Sequence, residues 1–189
     1  MSPRKPSSEV LTKEEIVNAA RHQFIAKGFE KVTMRGVASQ LGCSHGALYY
    51  HFKNKIELFY AVVEKDFEHL NQLLKEIINS TKENHQKLLD ILICFMKFGL
   101  NHQKQYEFMF MMKNAEVDSL AHEAATKSYY QFEYAILQLK NQNTEPSLIY
   151  SAFVALHGFV SHHCGYVKEY NEVKEYAEAH ALFIIKGLA

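Results

Sequence analysis

The sequence predicts an all-α fold, and three observations carry that reading. Apolar residues recur at spacings of three and four along nearly the whole chain. No segment alternates apolar and polar residues with period two. The 189 residues include only three prolines and eight glycines, so long stretches run without a helix breaker. With 48% hydrophobic residues the chain can bury one full core, or one core carrying a small extra module.

Taken in order, the first ten residues, MSPRKPSSEV, hold two prolines, three serines and two basic residues, the composition of a flexible arm, which we set at 1–11. From Leu11 the pattern is helical: Ile16, Ala19, Ala20, Phe24 and Ile25 form one stripe that stops at Gly28. Thr33 opens a short helix with Val37, Ala38 and Leu41 inward, ended by Gly42. Ser44 opens a second short helix, and Asn54 opens a long one that carries Ile56, Leu58, Phe59, Val62 and Val63 onward to about Ser80. Further helices are expected at about 84–102, 104–113, 118–141, 145–168 and 172–187.

The formal net charge of zero hides an asymmetry. Residues 1–55 hold nine Lys and Arg against four acids, whereas 56–189 hold twelve against seventeen. A basic head on an acidic body points to an anionic partner for the head, because clustered cations release counterions on meeting phosphates. Three widely spaced cysteines, Cys43, Cys94 and Cys164, give no paired framework and suit a reducing cytoplasm. The longest mostly apolar run, near IYSAFVALHGFV, is shorter than the 18 or so residues of a spanning helix, so a soluble protein with no membrane partner is expected.

The two short helices joined by LGC make a helix-turn-helix, with Gly42 in the tight turn and Ser44 capping a helix whose N-terminal end enters a major groove. In that second helix Leu48 and Phe52 lie four apart and face the core. Ser44, His45, Gly46, Ala47, Tyr49, Tyr50 and His51 remain for the other side. Gly46 and Ala47 let the backbone approach DNA closely, while tyrosine hydroxyls, a histidine, Lys53 and Lys55 reach phosphates.

Residues 12–59, TKEEIVNAARHQFIAKGFEKVTMRGVASQLGCSHGALYYHFKNKIELF, resemble the N-terminal DNA-binding domain of the TetR family of bacterial transcriptional regulators. The patterns T-x-R-x-[IV]-A, LG-x-S, G-x-LYYHF and K-x-K-x-x-L carry the likeness. The resemblance implies that Thr33 caps its helix and touches a phosphate, and that Arg35 and the His45, Gly46, Ala47 edge meet bases. It further implies that Tyr49, Tyr50, His51 and Lys55 hold the DNA backbone. Where the family has serine, lysine and glycine, this chain has Ser44, His45 and Gly46, so the resemblance does not carry the base preference over. The chain is thus expected to divide into the arm, a DNA-binding domain at 12–55 and a regulatory domain at 56–189. The resemblance implies that this last domain binds an inducer and forms a homodimer through its final two helices. ALHGF, 155–159, resembles a Trp-His-Gly signature found in a subgroup, without its tryptophan; Gly158 would permit close helix approach and His157 would face a cavity.

Two clusters suggest an inducer site. YEFMFMM, 106–112, offers Phe108, Met109 and Met112, and YYQFEY, 129–134, offers Tyr130 and Tyr134, to which His157 is added; such side chains repack around varied apolar ligands, or simply form a core helix. His157, His162, His163 and Cys164 are metal-ligating types, yet adjacent residues on one helix cannot aim at a single ion, so a structural role is favoured and no metal or cofactor is expected. Neither His nor Cys sits in a nucleophile turn, so no enzyme is expected. The sequence favours a ligand-responsive repressor bound to a palindromic duplex operator; a regulator switched by a protein partner, or a helical enzyme retaining the motif, are the alternatives.

Overall fold

The structure, a computed structural model, describes residues 11–112, 118–140 and 144–188, with 118–122 given by backbone only. Most of the expected N-terminal arm, and the predicted helix ends at 113 and 141, lie outside the described residues. Among the described residues the regular structure is helical and no strand forms. The helices are α1 (Lys13–Lys27), α2 (Met34–Leu41), α3 (His45–His51), α4 (Lys55–Ile78), α5 (Asn84–Asn101), α6 (Gln103–Tyr106), α7 (Asp118–Leu139), α8 (Pro146–His163) and α9 (Lys174–Gly187). The described residues form two compact units, divided between Val62 and Val63.

Local chemistry sets the helix ends of the first unit. At α1, Thr12 Oγ1 accepts from Glu15 N while the Glu15 carboxylate accepts from Thr12 N at 2.8 Å, a reciprocal cap that holds the carboxyl below its ordinary pKa. Thr33, Ser44 and Asn54 each accept from a backbone N–H three residues on, at 3.1, 3.1 and 2.8 Å, and start α2, α3 and α4. Gly42 closes α2 in the left-handed conformation, φ 64° and ψ 20°. The core of this unit is aromatic: Phe24, Phe29 and Phe59 are all buried, with centroid separations of 4.8 to 6.0 Å. Ile25 is not part of it. It sits about half a turn round the helix from Ile16 and is exposed, while Val17 and Gln23 complete the inward face.

In the second unit α5 is the packing centre, in contact with α6, α7, α8 and α9. The approach of α5 to α8 depends on Gly99, where a Cβ would lie 2.6 Å from Val160 Cγ1 and 3.0 Å from the Tyr106 ring. Gly158, the glycine expected to admit a neighbouring helix, has no atom within 4 Å of such a Cβ and lies on the exposed face of α8. The helix expected at 104–113 is α6 followed by a π-helical turn, Glu107–Met111. The helix expected at 145–168 stops at His163. Gly165 turns the chain at φ 81°, and Gln103 fixes the turn by donating to Val167 O at 2.8 Å and accepting from Gly165 N at 2.9 Å.

Candidate nucleic-acid interface and inner cavity

The first unit orients α3 by burying Leu48 and Phe52, so the residues between and before them are turned outward. Ser44, His45, Gly46, Tyr49 and Tyr50 are exposed, Tyr50 at 86%, and Ala47 and His51 are half-buried. The His45 ring stands edge-on to Tyr49 at 4.6 Å and His51 edge-on to Tyr50 at 5.2 Å, so each aromatic of the face is braced by an imidazole. No atom lies within 4 Å of a Cβ built on Gly46. Thr33 and Arg35 are exposed at the start of α2. Exposed Lys53 adds a cation after α3, its backbone N–H donating to Glu57 at 2.7 Å.

Lys55 behaves differently from its expected place among the phosphate anchors. Its ammonium donates to Phe29 O at 3.1 Å and lies 4.1 Å from the Phe29 ring centroid, which turns the cation inward to tie the start of α4 to the turn after α1. A second tie was not legible in the sequence. Gln23, 6% exposed, donates from Nε2 to Gly36 O at 3.0 Å and to Gln40 Oε1 at 2.8 Å, locking α2 to α1 and so setting the platform beside α3.

The geometry is that of a helix-turn-helix with a solvent-facing second helix, and residues 16–62 match the family model described as bacterial regulatory proteins, tetR family. The chain carries a TetR-family N-terminal domain. It is similar to the HTH-type transcriptional regulator SAUSA300_2515 of Staphylococcus aureus (strain USA300), 34% identical over 96 residues that cover 49% of this chain and 50% of the relative. The chain spans about half the length of the curated relatives it matches. Its fold is similar to that of a transcriptional regulator from Aquifex aeolicus VF5, with TM-score 0.70, 19% identity and coverage of 91% of this chain and 98% of that one. It is also similar to the SmeT-triclosan complex, with TM-score 0.57, 20% identity and coverage of 77% and 78%.

The six residues expected to line an inducer site do not converge. Tyr130 and Tyr134 are 60% and 62% exposed on the outer face of α7, beside a shallow groove against α4, because Phe132, Ala135, Ile136 and Leu139 take the inward face. Phe108 and Met109 are buried packing residues of the π-helical turn, and Met112 is half-buried at its end. His157 is packed, not open: its Nδ1 is hydrogen-bonded to the Tyr106 hydroxyl, and the Phe95, Phe110 and Phe153 rings stand 4.5 to 5.3 Å away. Burial pushes its pKa down to about 4, and pushes that of Tyr106 upward.

An apolar space in this unit is lined in part by Phe95 and Phe153. There a slot bounded by α4, α5, α7 and α8 has a cavity volume of about 30 Å³. Sequence reasoning missed it, since Leu70, Leu74, Ile91 and Phe132 read individually as ordinary core residues.

Among the described residues no helix is long and apolar enough to cross a membrane.

Proposed function

We propose that this chain is a ligand-responsive DNA-binding regulator of transcription, a repressor that acts as a homodimer on a near-palindromic operator. The observation that carries the reading is the outward face of α3, where Ser44 caps a helix start whose His45, Gly46 and Ala47 precede two tyrosines. Such a helix start offers base-reading side chains at its tip and phosphate contacts at its flanks. Arg35 and the His45 to Ala47 edge read bases; Thr33, Ser44, Tyr49, Tyr50, His51 and Lys53 position the backbone.

Dimerisation meets a geometric need, because one reading head sees few base pairs, whereas two heads read half-sites one helical turn or a multiple apart. The face formed by α8 and α9 supports it: Leu148, Val154 and Phe183 are 38%, 49% and 70% exposed, and a depression of about 220 Å³ between the two helices is lined by Ala155 and Leu188. Regulation follows from α4, one continuous helix whose residues up to Val62 belong to the DNA-binding unit and whose remainder belongs to the second. A small apolar or amphipathic inducer that prefers the DNA-incompetent dimer shifts this helix and releases the operator. The triclosan complex of a similarly folded protein supports a small molecule as the effector.

The test is selection of bound duplexes from a random pool, followed by affinity measured against salt. A near-palindromic site, a dimer by light scattering, and a log-log slope of about −0.9 per neutralised phosphate are expected. A monomer whose duplex affinity ignores salt overturns the reading.

A further inference from the structure

Two kinds of contact hold α2 in the first unit, with different consequences. Met34, Val37 and Ala38 are buried and form its apolar face. Burial of that kind scales with area and carries little direction, so it keeps α2 in place without fixing its rotation about its own axis. The directional contact comes from Gln23 of α1. Its amide sends both hydrogens to one stripe of α2, to the Gly36 carbonyl and the Gln40 side chain, four residues apart. Lys27 Nζ donates to Gln23 Oε1 at 3.5 Å, so the amide is oriented from its own helix as well. Gly36 is thereby held at both ends: its N–H donates to Thr33 Oγ1 at 3.1 Å and its carbonyl accepts from Gln23 at 3.0 Å. The seam is tight, because a Cβ on Gly36 would lie 3.3 Å from both Gln23 Oε1 and Thr33 Oγ1. Arg35, exposed, sits in the chain between Thr33 and Gly36. An apolar side chain of similar length would bury at position 23 with no hydrogen bonds to satisfy, so stability alone does not call for glutamine there.

We propose that Gln23 is a positioning residue for sequence recognition: by fixing the rotation of α2 it places the Arg35 guanidinium against base edges, without touching DNA itself. The proposal deepens the base-reading role given to Arg35 and rests on it. A rotation of α2 by about 10° moves a side-chain tip, roughly 5–6 Å from the helix axis, by about 1 Å. A constellation that reads base edges has to be held within about 0.5 Å. Phosphate contacts through flexible lysines follow the DNA backbone over larger displacements. Losing the Gln23 amide therefore blunts discrimination between sequences and leaves general duplex affinity as it was.

The experiment measures the affinity of the full chain for the selected operator and for random duplex in Gln23→Met, Arg35→Ala and the double variant. Gln23→Met keeps an unbranched side chain of similar length and removes the amide. It is expected to lower the operator-to-random ratio roughly three- to tenfold, the equivalent of about one hydrogen bond at the base edge. Random-duplex affinity and the salt slope are expected to stay as in the wild type, since no phosphate contact is lost. In the Arg35→Ala background the same substitution is expected to change the ratio by less than about twofold, because nothing is left to position. Gln40→Ala, at an exposed site, removes one of the two bonds and is expected to lower the ratio about two- to threefold. It decides the matter if circular dichroism shows Gln23→Met melted at the assay temperature. A ratio unchanged in Gln23→Met, or in Gln40→Ala where the first variant is unfolded, overturns the proposal. So does an equal fall with and without Arg35, or an equal loss on operator and random duplex. If the wild type prefers no sequence, or Arg35→Ala leaves the ratio unchanged, the base-reading role of Arg35 falls and this proposal with it. If both of those hold and Gln23→Met changes nothing, this proposal alone falls.

Discussion

Lys55 holds Phe29 twice, by a 3.1 Å hydrogen bond from its ammonium to the Phe29 carbonyl and by lying 4.1 Å from the centroid of the same ring. The two contacts close the N-terminal unit between the end of α1 and the start of α4. Lys55→Ala is therefore expected to lower stability by about 1 kcal/mol and to leave the salt slope of duplex binding unchanged. Lys53→Ala, at an exposed cation, is expected to do the reverse and flatten the slope by about one unit. Chemical denaturation and salt titration of the two variants decide it; a flattened slope for Lys55→Ala returns that lysine to the phosphate anchors.

The proposed base-reading and phosphate-holding roles separate at Arg35 and Tyr50, both exposed. Arg35→Ala is expected to cost about 1–3 kcal/mol on the selected operator and little on random duplex. Tyr50→Phe removes a hydroxyl proposed to reach a phosphate, so it is expected to weaken both alike. Equal losses on operator and random DNA would remove Arg35 from the reading set.

His157 is expected to make the second unit acid-sensitive. Its pKa in the folded chain, about 4, lies below the ordinary histidine value near 6.5, so between those values the unfolded chain holds more protons than the folded one. Stability is then complete above about pH 6.5 and falls as the pH drops toward 4, by on the order of 3 kcal/mol. In His157→Gln, which keeps a partner for the Tyr106 hydroxyl but cannot titrate, the urea midpoint should be lower at pH 7.5 and fall less between pH 7 and 4.5. An undiminished fall assigns the acid sensitivity to other groups.

Two glycines on facing elements should respond with opposite sign. At Gly99 a methyl would press on Val160 at 2.6 Å, so Gly99→Ala is expected to destabilise by about 1–3 kcal/mol despite the better helix propensity of alanine. At Gly158 nothing lies within 4 Å, so Gly158→Ala is expected to stabilise by about 0.5–1 kcal/mol. Thermal melts of both variants test the packing of α5 on α8; a stabilised Gly99→Ala would mean the helices stand further apart.

What the sequence by itself determined is local. The caps at Thr33, Ser44 and Asn54, the left-handed stop at Gly42 and the inward pair Leu48 and Phe52 depend on neighbours within four residues. Capping geometry and helical period act at that range, so α3 and its outward face are legible without any tertiary contact. What only the tertiary structure decided is convergence between helices. Gln23 reaching Gly36 and Gln40, Lys55 reaching Phe29, and Asn71 meeting Ser128 across 57 positions join residues whose partners carry no mark in the chain. The outward placement of Tyr130 and Tyr134, beside a groove on α4 rather than in the core, was not legible for the same reason. A helix with apolar or aromatic residues on more than one face has no single inward direction in its sequence, and only the neighbours of α7 decide that Phe132 and Ile136 turn in while the two tyrosines turn out.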